Sequence, residues 1–245
     1  RRTILAYRQG FVDYTLEWRY IGVQECNLWL GGVMHSTQLI YILDPMCSWC
    51  WGFEPTLQQI LKQAQAAGVH VTLRVGGLRT GQQAVLDDAK RAYILQHWRT
   101  VAQVTEQPFE FANALPAGFL YDTEPACRAL LVARELDHSR VFDFLQRLQQ
   151  AFYQENIDIT QAQTLRELAG QAGYNTQAFC RAFDAPQTRL DTEAEFAWVS
   201  RLAVRGFPTL LAQHQQQYAL ITNGYQPYST LEPLLSRWIA TNATI

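Results

Sequence analysis

The sequence predicts an α/β fold, a central mixed sheet carrying an inserted all-helical domain, and three observations lead there. The run from Leu39 to Leu43 is short, β-branched and aromatic and stops at Asp44-Pro45, as a buried central strand does. A helical period follows it and gives way to a second apolar strand ending near Val75. From residue 80 to residue 185 strand signals vanish, and two more short strands come only after that stretch. The expected division is an extension over residues 1–36, a sheet domain built from residues 37–79 and 186–245, and a helical insertion over residues 80–185.

Composition narrows the class. The chain has 245 residues, enough to bury a sizeable core, and 48% of them are hydrophobic. Charged residues make up 17%, below the usual share of about 25%, so a disordered tail is excluded. The formal net charge is -2, without a long basic run, so nucleic acid is not an expected partner. No apolar stretch approaches the roughly 20 residues of a membrane helix, so no membrane association is expected either.

Taken in order, residues 1–36 show no sustained period, and a natural start at Met34, with an upstream translated segment before it, is the expectation for this stretch. Leu57, Ile60, Leu61 and Ala64 recur at three- and four-residue steps and predict a helix from Cys50 to Ala67, closed by Gly68. Alternation at Val69, Val71, Leu73 and Val75 predicts a strand parallel to the first. Helices are expected over residues 82–105, 124–137, 140–154, 160–172 and 176–183, with Thr160 and Asn175 as caps of the last two. Beyond the insertion come a helix over residues 192–204, strands over residues 208–213 and 218–222, and a helix over residues 230–240 whose Leu231, Leu234, Leu235 and Trp238 share one face. Asn223-Gly224 marks a turn.

Five cysteines are present, and Cys26, Cys127 and Cys180 have no local partner, which argues against a secreted disulfide framework and for a reducing, cytoplasmic compartment. A periplasmic location is the alternative if a signal segment precedes this sequence. Cys127 and Cys180 read as small packed core residues.

Cys47 and Cys50 differ from the others. In Asp44-Pro45-Met46-Cys47-Ser48-Trp49-Cys50-Trp51-Gly52-Phe53 the two stand three apart where a strand gives way to a helix. Unpaired amides at a helix start favour negative charge, so Cys47 is the expected reactive thiolate, and Cys50, one turn inside, the resolving thiol. Thiol–disulfide exchange through a mixed disulfide is the reaction this arrangement suits. Half of a zinc knuckle has the same spacing, but its other half is missing, so no metal is expected. Far along the chain, Val204-Arg205-Gly206-Phe207-Pro208-Thr209 places a proline at the head of an apolar strand. Either a cis Phe207-Pro208 bond leaves the Phe207 backbone free to pair with an extended substrate, or the proline is an ordinary trans residue at a strand start.

This combination resembles the DsbA family of the thioredoxin-like superfamily over about residues 37–241, and the Asp-Pro-Met-Cys-Ser-Trp-Cys-Trp-Gly-Phe string is similar to its branch of protein-disulfide isomerases. The resemblance implies a thioredoxin-like fold, Cys47 as nucleophile, Cys50 as resolving cysteine, and Pro208 as a cis-proline facing them with Phe207 supplying substrate-pairing backbone. It departs in the inner dipeptide, Ser48-Trp49 in place of Pro-His, which puts strong oxidising power in doubt. Protein or small-molecule disulfides and thiols are the implied substrates, with no cofactor needed beyond glutathione as a redox partner. Around the pair, Asp44 is either a proton relay to Cys50 or a turn former, and Glu54 fits the start of a helix without a catalytic duty. Trp49, Trp51 and Phe53 either form an apolar substrate-binding rim or pack. Two other functions stay open: a glutathione-dependent isomerase or transferase similar to 2-hydroxychromene-2-carboxylate isomerase and the kappa class, whose members place serine at position 47, and a non-enzymatic peptide-binding module.

Overall fold

The computed structural model describes residues 20–21, 37–202 and 204–243. Met34, Cys26 and most of the expected extension lie outside the described residues. Within it, Tyr20–Ile21 form a two-residue strand, β1, where the sequence shows no period. Two backbone pairings to the sheet need no alternation, which is why they left no trace in the residue pattern.

Strand β2 (Thr37–Leu43) is an inner strand of the sheet. It pairs in parallel with β3 (His70–Val75) and antiparallel with β4 (Thr209–His214), while β5 (Gln217–Asn223) pairs antiparallel with β4 and with β1. The order is β1-β5-β4-β2-β3, a mixed sheet. Both faces of β2 are covered, which explains its unbroken apolar run. Leu39, Tyr41 and Leu43 join the main core with Leu57, Ile60 and Leu210, whereas Ile40 and Ile42 pack with Val199, Leu202 and Leu211 on the other face.

The helix expected over residues 50–67 is two: α1 (Ser48–Gly52) and α2 (Glu54–Ala66). Pro55 brings no N–H to the Trp51 carbonyl, which accepts from Gln107 Nε2 at 2.9 Å instead, and the chain bends at Phe53. Residues 88–184 hold α3 (Asp88–Thr105), α4 (Glu124–Leu136), a 3-10 turn over His138–Arg140, α5 (Val141–Tyr153), α6 (Ala162–Gln171) and α7 (Thr176–Asp184), with no strand among them. Helix α3 starts six residues later than expected because the Asp87 carboxylate caps it, accepting from the Lys90 amide at 2.7 Å. Asn175 caps α7 as expected, but Thr160 does not cap α6: its own amide donates to Asp158, and Gln161 takes the position. After it, α8 opens at Pro186 rather than at residue 192, a proline tolerated because the first-turn amides have no partner in the helix, and it ends at Arg201. Helix α9 (Tyr228–Asn242) buries Leu231, Leu235 and Trp238.

A buried ion cluster ties the helices to the sheet edge. Glu195 of α8, fully buried, accepts from Arg134 of α4 at 2.9 and 2.8 Å, from Arg74 at 3.0 Å, and from the Val75 amide at 2.7 Å. Arg134 also donates to the Leu73 carbonyl at 2.8 Å. The free edge of β3 is thereby covered by side chains, and the chain beyond Val75 leaves the sheet from a fixed point.

Candidate functional site

The site grows from the turn that ends β2. Asp44 accepts from the Met46 amide at 2.8 Å through one carboxylate oxygen, while its carbonyl accepts from the Cys47 amide at 3.0 Å, and this reversal aims the chain into α1. The second oxygen accepts from the Leu78 amide at 2.6 Å and from the Cys127 thiol at 3.4 Å. Burial raises the Asp44 carboxyl above the usual carboxylate range, and the amides of Leu78 and Met46 work against that rise. The turn-forming role is therefore visible in the structure.

Cys47 takes the N-cap position of α1, where serine, threonine or aspartate commonly accept from first-turn amides, and no side chain caps this helix. Its carbonyl accepts from the Cys50 and Trp51 amides at 2.9 and 3.1 Å. The residue is 6% exposed, and its thiol donates to the Phe207 carbonyl at 3.6 Å. The Phe207-Pro208 peptide is cis. Thus the carbonyl expected to be free for substrate is held by the sulfur itself in the dithiol form. Cys50 lies behind, 1% exposed and within reach of the Cys47 thiol. Burial pushes its thiol well above the usual range, and Cys47 beside it adds to the effect. Neither cysteine is in a disulfide.

Of the three aromatics, only Trp49 is open to a visitor: it is half-buried, edge-on to His97 at 5.9 Å and tilted against Tyr225 at 5.8 Å. Trp51 and Phe53 correct the rim expectation. Trp51 is buried, stacked on Tyr153 at 6.1 Å with its indole N–H donated to the Pro108 carbonyl, and Phe53 is buried against Tyr41. Both anchor α1 to the molecule, Trp51 to the helical region and Phe53 to the sheet. Gly52 permits the close approach of α1 to α3, since a Cβ there would sit 2.8 Å from Thr105 Cγ2. Glu54 is buried, accepts from Gln146 at 2.8 Å, and is raised by that burial.

The Phe207 ring lies on Gly76, so the loop before β4 and the loop after β3 meet beside Cys47. From the helical region, Tyr121 donates to the Met46 carbonyl at 2.7 Å, locking the residue before the nucleophile. Sequence reasoning missed Tyr121, Tyr225 and His97 as neighbours, and it placed Cys127 only as core. Cys127 is indeed buried, but its thiol also touches Asp44. No spacing in the sequence marks these contacts, because each joins segments far apart in the chain. Among the described residues no three His, Cys, Asp or Glu side chains are grouped to hold a metal ion, and no helix is long and apolar enough to cross a membrane.

Comparison with known proteins adds a family context. The family of DSBA-like thioredoxin domains matches residues 38–236. A candidate protein disulfide isomerase from Nitrosomonas europaea is 38% identical in its crystal structure, with a TM-score of 0.77 over 84% of this chain and 98% of that one. The cytosolic disulfide reductase DsbM from Pseudomonas aeruginosa is 30% identical, with a TM-score of 0.69 over 82% and 98%, and it is also known with GSH. The ClpXP adapter protein SpxH of Shouchella clausii is 22% identical over 81% of this chain, which spans 65% of that relative's length.

Proposed function

The chain belongs to the family of DSBA-like thioredoxin domains, and from that premise we propose that it is a thiol–disulfide oxidoreductase with Cys47 as nucleophile and Cys50 as resolving thiol. One observation carries the reading: Cys47 opens α1 against the Phe207 carbonyl at the cis-proline, with Cys50 one turn behind it. In the dithiol form Cys47 loses its proton, and the anion attacks one sulfur of a substrate disulfide. A mixed disulfide forms and one substrate thiolate leaves. Cys50, once deprotonated, attacks the Cys47 sulfur, releases the second thiolate and closes the Cys47–Cys50 disulfide, so two electrons pass to the substrate. In this reading Asp44, tied to the turn near Cys50, takes the Cys50 proton.

Reduction or isomerisation suits this site better than strong oxidation. No imidazole stands between the cysteines to hold a Cys47 anion, and a 30% identical neighbour is a cytosolic disulfide reductase. The same neighbour, known with GSH, supports glutathione as the thiol partner and a cytoplasmic setting. The substrates are protein or small-molecule disulfides, reached past the half-buried Trp49.

The decisive experiment is trapping. Reduced Cys50→Ser, mixed with glutathione disulfide, accumulates a mixed disulfide on Cys47 detected by mass spectrometry, and Cys47→Ser accumulates none. Equal adducts on both variants contradict the assigned roles. The match to a ClpXP adapter protein supports keeping a second reading, a non-enzymatic peptide-binding module. Peptide binding retained by a Cys47→Ala, Cys50→Ala double variant, with no exchange activity in the parent, selects it.

A further inference from the structure

The loop that follows β3 carries an arginine with no assigned task. Its backbone is pinned on both sides: the Arg79 amide donates to Thr123 Oγ1 at 3.2 Å, and its carbonyl accepts from the Thr123 amide at 2.8 Å. One residue earlier, the Leu78 amide is bound to Asp44. The guanidinium lies over the Tyr121 ring, 5.3 Å from its centroid, and that tyrosine's hydroxyl holds the Met46 carbonyl next to Cys47. Two short chains of contact thus lead from Arg79 to the nucleophile.

What the guanidinium lacks is an anion. Among the described residues it makes no ion pair, although it is half-buried. The nearby acids are engaged elsewhere: Asp122 accepts from the Gly81 and Glu124 amides, and Asp44 is turned into the core. The imidazole of His97, against Trp49, is held below its ordinary range by burial and by Arg79, so it does not compete as a cation near neutral pH. A second arginine without an ion pair among the described residues, Arg205, is exposed on the loop that brings Phe207 to Cys47, and the two loops touch where the Phe207 ring meets Gly76. Five donors in a rigid fork suit a carboxylate better than any neutral group.

We propose that Arg79 is a specificity-determining residue that binds the carboxylate of a small anionic disulfide while Cys47 attacks its sulfur. The inference rests on the thiol–disulfide exchange proposed above and names the substrate class of that site. The chemistry is the balanced exchange already given: one dithiol protein and one disulfide become one disulfide protein and two thiols. Arg79 moves no electron or proton and acts by holding the substrate's charge beside the sulfur.

The test compares single-turnover oxidation of the reduced protein by glutathione disulfide and by the neutral bis(2-hydroxyethyl) disulfide, read as the ratio of the two second-order rates. Arg79→Gln lowers that ratio about tenfold, the scale of one lost charge-assisted hydrogen bond. Arg79→Lys, which keeps the charge without the fork, gives a ratio between those of wild type and Arg79→Gln, and added salt lowers the wild-type ratio toward that of Arg79→Gln. An unchanged ratio in Arg79→Gln, including a parallel fall of both rates, overturns the inference and leaves the exchange reaction standing. A wild-type protein that reacts with neither disulfide overturns both.

Discussion

Glu195 gives the sharpest check on how the helices are held to the sheet. Glu195→Leu removes a fully buried carboxylate and leaves Arg134, 7% exposed, without its bidentate partner, and the Val75 amide without an acceptor. Breaking a buried pair from one side costs about 3–5 kcal/mol, and the orphaned amide places this case near the upper end. For a chain of this size each kcal/mol moves the midpoint by about 2–4 °C, so Tm should fall by roughly 10–15 °C in a circular-dichroism melt. Arg74→Met should cost only about 1 kcal/mol, because that side chain is 23% exposed and Arg134 still faces the carboxylate. Arg134→Met with Glu195→Leu should cost less than the sum of the single changes, since no lone charge then remains buried. Burial alone would raise the Glu195 carboxyl, but the Arg134 guanidinium, with Arg74 and the Val75 amide, outweighs it and holds the group below its ordinary range. The wild-type advantage over Glu195→Leu is therefore full above about pH 4.3 and shrinks as pH falls through the lower folded value. Strict additivity of the pair, or a single-variant cost under about 1 kcal/mol, refutes the reasoning.

Two further outcomes test the site. Gly76→Ala places a methyl where the Phe207 ring lies, so the ring and its loop must shift at a cost of roughly 1–3 kcal/mol, and iodoacetamide should label Cys47 at an altered rate; an unchanged urea midpoint and labelling rate would show that this contact does not hold the loop. Asp44 has the opposite pH signature to Glu195, because burial raises its carboxyl in the folded state. The wild-type advantage over Asp44→Asn is thus largest below about pH 3.9 and is lost as pH rises through the raised folded value, whereas a pH-independent difference in urea midpoints counts against a buried, titrating Asp44.

Local chemistry made part of this molecule readable. The strand at Leu39–Leu43, the alternation from Val69 to Val75 and the Asn175 cap each depend on neighbours a few residues away, and each stands in the structure. Errors cluster where a distant partner decides. The break at Phe53 depends on Pro55 but is stabilised by Gln107, and the strand β1 is made by backbone pairing with the distant β5. Trp51 and Phe53 looked like a rim because they flank the cysteines, yet Tyr153 and Tyr41, at long sequence distance, bury them.

The same division runs through the site. Cys47 and Cys50 stand in one turn, so their spacing is a local signal, and the Phe207-Pro208 bond is marked by a proline heading an apolar strand. The groups that surround them carry no such mark. Leu78, Tyr121 and Cys127 come from the loop after β3, the segment between α3 and α4, and α4, and they converge on Asp44 and Met46 only after the fold has closed. That convergence gives the helical region a direct hold on the nucleophile's turn. Tyr121 fixes the Met46 carbonyl, Cys127 contacts the Asp44 carboxylate, and Trp51 draws α1 onto Tyr153, so three bonds or stacks from the helical region hold Asp44, Met46 and Trp51 around the cysteines. A loosened helical region should therefore change the chemistry at Cys47 even with the sheet intact, because the turn that presents the sulfur is held by Tyr121 and Cys127 as well as by the loop after β3.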